Sequence, residues 1–172
     1  CRINIYSESG EEGFGTGFLI APQILITNHH VIPTEHYASY SYAEFNYEKG
    51  TSDLPLSLKT FNFDPAKLFH TNEDLDYTII WIEEASREGF ALAQDFGYLH
   101  LNPNLGKIKE GNFVSIIQHP DGKMKKVALR QNEVTNLSLP KFIRYVTDTK
   151  SGSSGAPVFN DKWEVVAVHH AG

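Results

Sequence analysis

The sequence predicts an all-β fold, and two observations carry that prediction. Short segments rich in Val, Ile, Phe and Tyr recur along the chain with turn residues between them, which is typical of a β-barrel or β-sandwich. Helical periodicity is almost absent, and the stretch from Glu83 to Phe90 has room for one helical turn at most. We therefore expect a chain built from many short strands.

The predicted strands are bounded by turn signals such as Ala21-Pro22-Gln23 and Asn160-Asp161-Lys162. In chain order the predicted strands are Arg2–Tyr6, Phe14–Ile20, Ile24–Thr27, Tyr37–Tyr47, Leu56–Phe63, Tyr77–Ile82, Phe113–Gln118, Lys126–Val134, Phe142–Thr147, Pro157–Phe159 and Val165–His169. The stretch least like a strand, residues 83–111, is expected to connect an N-terminal half, residues 1–95, to a C-terminal half, residues 96–172.

Composition limits the classes of function. The chain has 172 residues, 41% of them apolar, which is enough to bury a core. Its net charge of −6 without a lysine or arginine run argues against a nucleic-acid partner. It has no apolar run that could span a bilayer and no secretory signal, so we expect no membrane partner. The single cysteine, Cys1, excludes an intrachain disulfide and favours a cytoplasmic location, although a chain that starts without Met is compatible with a removed signal.

The most informative stretch is Ser151–Phe159, in which small residues surround Ser154 and a proline follows. Such a sequence is typical of a tight turn that presents a hydroxyl and then enters a strand. We interpret Ser154 as a nucleophile and the backbone N–H groups of Gly152 and Ser154 as an oxyanion hole. Glycine-serine segments are also ordinary linkers, which is the alternative for this stretch taken alone.

A serine nucleophile needs a base, and the pair His29-His30 directly follows an apolar predicted strand. A strand end holds an imidazole rigidly and leaves it accessible, and imidazole exchanges a proton near neutral pH. The alternatives are a surface histidine and a zinc ligand. Adjacent residues of an extended segment point to opposite sides and the chain has no second thiol, so we expect no metal site.

The base in turn needs an acid that orients it, and Asp76 stands immediately before the apolar strand Tyr77–Ile82. A carboxylate drawn into the interior requires a hydrogen-bond donor, and an imidazole N–H is such a donor. Asp74, two residues earlier on the same face, is the rival. Either acid alone is also compatible with a solvated turn or a cap.

The three candidates follow one another in the order His30, Asp76, Ser154, which is the order found in β-barrel enzymes with this set of groups. The chain resembles the chymotrypsin-fold (trypsin-like) serine peptidases, in particular the cysteine-poor bacterial branch that includes the glutamyl endopeptidases. The matching segments are Gly15–Ile20, Thr27–Val31, Asp76–Ile80 and Gly152–Phe159.

The resemblance implies two packed antiparallel six-stranded β-barrels with the site in the cleft between them, the C-terminal barrel being incomplete in this chain. It places the general base on His30 rather than His29, the orienting acid on Asp76 and the nucleophile on Ser154, and it implies no cofactor. Ser153 stands where vertebrate-type members carry the aspartate that pairs with a freed N-terminus, so that route of activation is not expected. Members continue beyond the segment resembling His169–Gly172, so further domains or a second chain would complete the last barrel.

Two residues bear on the side chain that precedes the cut. Asp148, six residues before Ser154, matches the pocket floor of trypsin-like members and would pair with Lys or Arg. His169 resembles the histidine with which glutamyl endopeptidases recognise an acidic side chain, and His170 follows it on the strand expected to pair with substrate. We favour a weak preference for Lys or Arg; the alternatives are cleavage after Glu or Asp, and a purely structural Asp148.

The sequence therefore predicts a serine endopeptidase that cleaves protein or peptide substrates through an acyl-enzyme. Two alternatives stay open: a catalytically silent binding or scaffold module with the same fold, and a peptidase that is a regulated module of a larger protein.

Overall fold

A computed structural model describes residues 1–89, 93–104, 106–129, 132–138, 141–147 and 150–170. Within these ranges the chain forms short β-strands, one α-helix and two 3₁₀ turns, and every strand pair is antiparallel. The predicted all-β fold is confirmed. None of the helices in the described ranges is long and apolar enough to cross a membrane.

The N-terminal half contains two four-stranded sheets. Its strands are β1 (Arg2–Ser7), β2 (Gly10–Thr16), β3 (Phe18–Ala21), β4 (Ile24–Thr27), β5 (Tyr42–Phe45), β6 (Lys59–Asn62), β7 (Phe69–Asn72) and β8 (Tyr77–Trp81). The first sheet has the order β2-β1-β5-β6 and the second the order β3-β4-β8-β7. A bridge between Phe63 and Ile82 joins the chain just after β6 to the chain just after β8.

The C-terminal half contains a four-stranded sheet and a separate strand pair. Its strands are β9 (Ser115–Gln118), β10 (Lys126–Ala128), β11 (Val134–Asn136), β12 (Arg144–Tyr145), β13 (Pro157–Phe159) and β14 (Val165–Val168). The sheet has the order β10-β9-β13-β14, and β11 pairs with β12. The two 3₁₀ turns lie at Ala93–Phe96 and Pro120–Gly122. Within the described residues neither half closes into a complete barrel.

One predicted strand, Tyr37–Tyr47, is wrong over its first part. Helix α1 (Glu35–Tyr40) occupies that part, and the strand begins only at Tyr42. The Thr34 hydroxyl caps the helix by accepting the backbone N–H of Tyr37 at 3.3 Å, and Glu35 lies in the first turn. A threonine cap followed by an acid is a helix start signal, and it outweighs the strand preference of the tyrosines that follow.

Three groups of buried side chains form the core. One lies in the N-terminal half around Phe61 and Leu25, and a second lies in the C-terminal half around Ile116 and Val158. A third joins residues of both halves, namely Phe18, Ile26, Phe159 and Val165. This third group packs β3 and β4 against β13 and β14, so the strand before the histidine pair lies beside the strand after Ser154. The domain boundary between residues 95 and 96 stays a prediction.

Candidate active site

The pairing of β4 with β8 places His30 and Asp76 next to each other. Thr27, the last residue of β4, lies opposite Thr78 in the antiparallel register. The turn that follows β4 and the turn that precedes β8 therefore meet at one edge of the sheet. His30 lies in the first turn and Asp76 in the second. The register of a single strand pair thus bridges a sequence separation of 46 residues.

His30 uses both oxygens of the Asp76 carboxylate. Its backbone N–H donates to Oδ1 at 3.0 Å, and its ring Nδ1–H donates to Oδ2 at 2.8 Å. The Asp76 side chain is 15% exposed and the His30 side chain 48% exposed, so the acid is shielded while the imidazole is accessible. A proton held on Nδ1 leaves Nε2 unprotonated, which is the tautomer that a general base requires.

The backbone also holds Asp76 in place. Asp76 has a φ of 49°, in the left-handed region that Asp and Asn tolerate better than most residues. The side-chain amide of the buried Asn28 donates to the Asp76 carbonyl at 2.7 Å. Asn28 belongs to the same turn as His30, so this bond fixes the two turns to each other. The carboxylate is therefore positioned by its own main chain as well as by its contact with the imidazole.

His29, the other member of the histidine pair, faces a different strand. Its Nδ1 shares a hydrogen bond of 2.7 Å with the Thr71 hydroxyl on β7. Asp74, the rival acid, is exposed and contacts neither His29 nor His30 through any hydrogen bond within the described ranges. The pair that the structure brings together is therefore His30 with Asp76.

A second imidazole approaches the same carboxylate. Nδ1 of His170 lies 3.3 Å from Oδ2 of Asp76, the oxygen that accepts from His30. The His170 ring also packs against Phe142, with a centroid separation of 5.1 Å. Asp76 thus lies between two histidines that come from opposite halves of the chain.

The turn that carries Ser154 requires glycine at two positions. Gly152 and Gly155 both have a φ of 88°, in the region where a Cβ is unfavourable. A Cβ on Gly152 would lie 2.7 Å from the His119 carbonyl oxygen, and one on Gly155 would overlap the Thr16 carbonyl and the Thr27 hydroxyl. The serine turn is therefore packed directly against backbone on both sides.

Thr16 ties this turn to the N-terminal half. Its N–H donates to the Ser154 carbonyl at 2.8 Å, and its hydroxyl donates to the Gly152 carbonyl at 2.7 Å. Its own carbonyl accepts from the Thr27 hydroxyl at 2.8 Å. Because Thr27 ends the strand that leads into the histidine pair, a chain of buried hydrogen bonds joins the serine turn to the segment that carries the base.

Two backbone N–H groups of the serine turn have no acceptor among the described residues. They are those of Gly152 and Ser154, whereas the N–H groups of Ser153 and Gly155 both donate a hydrogen bond. An N–H group beside a nucleophile can stabilise an oxyanion when no protein acceptor occupies it. The Ser154 hydroxyl makes no hydrogen bond to the His30 ring within the described ranges.

His169 is buried beside the same turn. Its side chain shares a 2.7 Å hydrogen bond with the Tyr145 hydroxyl, and the residue is 4% exposed. Burial, with smaller contributions from the nearby His170 and His30, lowers the pKa of His169 to about 4. Its carbonyl accepts from the Gly155 N–H at 2.8 Å. His169 is therefore a neutral imidazole at pH 7, next to the serine turn.

A family model described as a trypsin-like peptidase domain matches residues 15–168. The chain belongs to the trypsin-like peptidase family. The match includes His30, Asp76 and Ser154, so the resemblance inferred from the motifs is confirmed. It spans both halves of the chain, from just before β3 to the end of β14.

Several solved structures share the fold of this trypsin-like domain. Deg5 has a TM-score of 0.69 at 19% identity over 99% of this chain and 78% of that one. The serine endoprotease from Yersinia pestis has a TM-score of 0.64 at 15% identity over 98% and 53%. A Glu endopeptidase has a TM-score of 0.62 at 22% identity over 99% and 78%. Likeness at such identities establishes the fold, which is chymotrypsin-like as predicted.

Two relatives are similar in sequence. The uncharacterized protein y4fB of Sinorhizobium fredii is 41% identical over 181 residues, covering 100% of this chain and 27% of that protein. The secreted RxLR effector protein 73 of Plasmopara viticola is 31% identical over 176 residues, covering 92% and 41%. The trypsin-like chain thus spans less than half the length of either relative.

The remaining predicted site residue, Asp148, lies outside the described residues. Groups of His, Cys, Asp or Glu that could hold a metal ion do not occur in the part of the chain that the structure describes.

Sequence reasoning missed Thr16, Asn28 and Tyr145 as members of the site. Thr16 and Asn28 lie inside segments that carry the family resemblance, so their position was a usable signal. Their hydrogen-bond partners could not be inferred from the sequence, because the Thr16 hydroxyl donates to the carbonyl of Gly152, 136 positions away. No local pattern marks Tyr145 as the partner of His169.

Proposed function

We propose that this chain is a serine endopeptidase domain in which His30, Asp76 and Ser154 form the catalytic set. The trypsin-like fold supports peptidase activity in general. The observation that carries the finer proposal is the two-point contact of His30 with the Asp76 carboxylate, at 3.0 and 2.8 Å. That contact prepares one imidazole, on an accessible edge, to accept a proton at Nε2.

In the proposed mechanism the Ser154 hydroxyl attacks a peptide carbonyl carbon while its proton passes to Nε2 of His30. The carbonyl oxygen becomes an oxyanion held by the N–H groups of Gly152 and Ser154. Collapse expels the leaving amine, which takes the proton from His30, and leaves an acyl group on the Ser154 oxygen. Water then repeats the sequence, with His30 first accepting and then returning a proton.

Among the described residues the Ser154 hydroxyl does not bond the His30 ring, and the mechanism requires that bond once substrate is present. In the absence of substrate, catalytic hydrogen bonds are often long and tighten only in the substrate complex. Here the chain of bonds through Thr16 and Thr27 fixes the serine turn against the strand before the base, which supports the convergence of the two groups in the substrate complex. The mechanism requires an unprotonated Nε2 on His30, because only that atom can accept the proton of the serine hydroxyl.

We further propose that the preferred residue before the cut is Lys or Arg, recognised by Asp148. One observation supports the alternative of cleavage after Glu or Asp: His169 lies buried beside the serine turn with Nδ1 bonded to Tyr145. As a neutral imidazole it can offer an acidic side chain a hydrogen bond but no charge. An ion pair between a carboxylate and a basic side chain is the stronger contact.

Digestion of a peptide library, with cut sites mapped by mass spectrometry, tests the proposal. The wild-type chain should cut with a dominant residue before the bond, and Ser154→Ala should not cut. Cuts after Lys or Arg that are lost in Asp148→Asn support the basic preference. Cuts after Glu or Asp that are lost in His169→Gln support the alternative. A wild-type chain that folds and cuts nothing would instead favour the silent binding module.

A further inference from the structure

A second recognition feature adjoins the serine turn in the C-terminal half. A cavity of about 740 Å³ lies between β10, the 3₁₀ turn Pro120–Gly122 and Lys150. Its wall is joined to the serine turn, because the Asp121 N–H donates to the Ser151 carbonyl at 2.6 Å. A ligand in this cavity would therefore lie beside the turn that carries Ser154, the proposed nucleophile.

The cavity is positively charged in a chain whose net charge is −6. Among the described residues, three lysines line it, Lys123, Lys126 and Lys150, against one carboxylate, Asp121. Asp121 lies 3.4 Å from the Lys123 ammonium and 3.7 Å from that of Lys150. Lys126 is exposed and has no ion-pair partner within the described ranges. One carboxylate cannot neutralise three ammonium groups, so the described part of the lining carries an excess of about two positive charges.

The cavity also offers backbone and apolar contacts. β10 is the edge strand of its sheet, and β9 is its one partner within the described residues. An extended peptide can add to such an edge through main-chain hydrogen bonds. Val127 and Leu129, which are 49% and 58% exposed, line the same cavity. An apolar side chain of the added peptide would cover them.

We propose that this cavity binds an extended acidic peptide segment, with its carboxylates on Lys123, Lys126 and Lys150 and its apolar side chains on Val127 and Leu129. The proposal deepens the proposed function, since it makes the segment part of the substrate that Ser154 cleaves. It adds a requirement for acidic residues near the cut that is separate from the residue recognised by Asp148 or His169.

Binding to the Ser154→Ala chain tests the proposal without turnover. The probes are a fluorescent peptide with alternating Glu and Val or Leu residues and a matched peptide with Gln in place of Glu, measured by anisotropy at low and high salt. The acidic peptide should bind more tightly, and the difference should shrink with salt. Lys126→Gln should weaken acidic-peptide binding about two- to fivefold, the range of a single exposed ion pair. Lys162→Gln, an exposed lysine on the turn between β13 and β14, is the matched control and should change nothing.

Equal binding of the two peptides, or an unchanged affinity in Lys126→Gln, would overturn the proposal. Displacement of the acidic peptide by a short single-stranded oligonucleotide as effectively as by unlabelled peptide would also overturn it, by showing a general polyanion site. The two proposals can fail separately. Selective binding by Ser154→Ala without cleavage by the wild type would overturn only the proposed peptidase activity. Cleavage without selectivity for acidic segments would overturn only the proposed acidic-peptide site.

Discussion

The substitution Asp76→Asn tests the pairing on which the mechanism depends. In the structure one carboxylate oxygen accepts the His30 backbone N–H at 3.0 Å and the other accepts the ring Nδ1–H at 2.8 Å. An amide has one oxygen and one NH₂ group, so it can satisfy only one of these two donors. If its oxygen stays on the backbone N–H, its NH₂ faces Nδ1 and forces the ring proton onto Nε2.

That tautomer cannot accept the proton of the serine hydroxyl. Loss of one charge-assisted hydrogen bond alone is worth about 1.5–3 kcal/mol, roughly a ten- to hundredfold loss in rate. Locking the base in the wrong tautomer raises the loss to about 10⁴-fold in kcat. We therefore expect kcat to fall by about 10³- to 10⁴-fold, with a small change in KM. The backbone should tolerate the change, because Asn adopts a φ near 49° as readily as Asp does.

The assay is steady-state kinetics on a fluorogenic peptide chosen from the library cuts, with thermal unfolding as the folding check. Asp74→Asn is the matched control, since Asp74 is exposed and two residues away, and its kcat should stay within about twofold of wild type because surface changes are usually small. A folded Asp76→Asn chain that keeps more than a tenth of the wild-type kcat would refute the role given to this carboxylate.

Three further predictions concern stability. Gly155→Ala should lower the free energy of unfolding, measured by urea titration, by about 3 kcal/mol or more, because the new Cβ overlaps the Thr16 carbonyl at a φ of 88°. Gly111→Ala is the control, since Gly111 has a φ of 81° with open space around it, and it should cost only about 1–2 kcal/mol. Thr16→Val should cost about 1–3 kcal/mol by leaving the buried Gly152 carbonyl without its donor, and an unchanged urea midpoint would contradict that reading. The pKa of His169 is about 4 in the folded chain against 6.5 unfolded, so the unfolded state takes up its proton first and stability should fall as pH drops from 6.5 to 4, by about 3 kcal/mol at most. His169→Gln should flatten that part of the curve of melting temperature against pH, and an equal slope in both proteins would count against a buried neutral His169.

Much of the candidate site could be predicted because its chemistry resides in short contiguous segments. A glycine-flanked serine, a histidine at a strand end and an acid before a strand can each be singled out from the local sequence. Their order along the chain then indicates that they belong to one site. The choice between Asp74 and Asp76 could not be made locally, since alternation puts both on one face. It depends on the left-handed φ of Asp76 and the bond from Asn28, which only the folded turns supply.

Other features could not be predicted because they arise from contacts between distant segments. The hydrogen bond from the Thr16 hydroxyl has its acceptor, Gly152, in the serine turn. The second imidazole near Asp76 belongs to the last described residue, His170. The three lysines of the cavity do not form a continuous run in the sequence, so the sequence did not indicate a basic site. The tyrosines of residues 37–47 favour a strand, and the Thr34 cap outweighs that preference over the part that forms helix α1.

Labelling with a fluorophosphonate, read by intact mass and peptide mapping, tests whether Ser154 is an activated nucleophile, because the reagent reacts with activated serines. We expect one adduct on Ser154 in the wild type, none in Ser154→Ala, and a strongly slowed reaction in His30→Ala. A folded wild-type chain that takes no label, or an adduct that persists in Ser154→Ala, would contradict that role for Ser154.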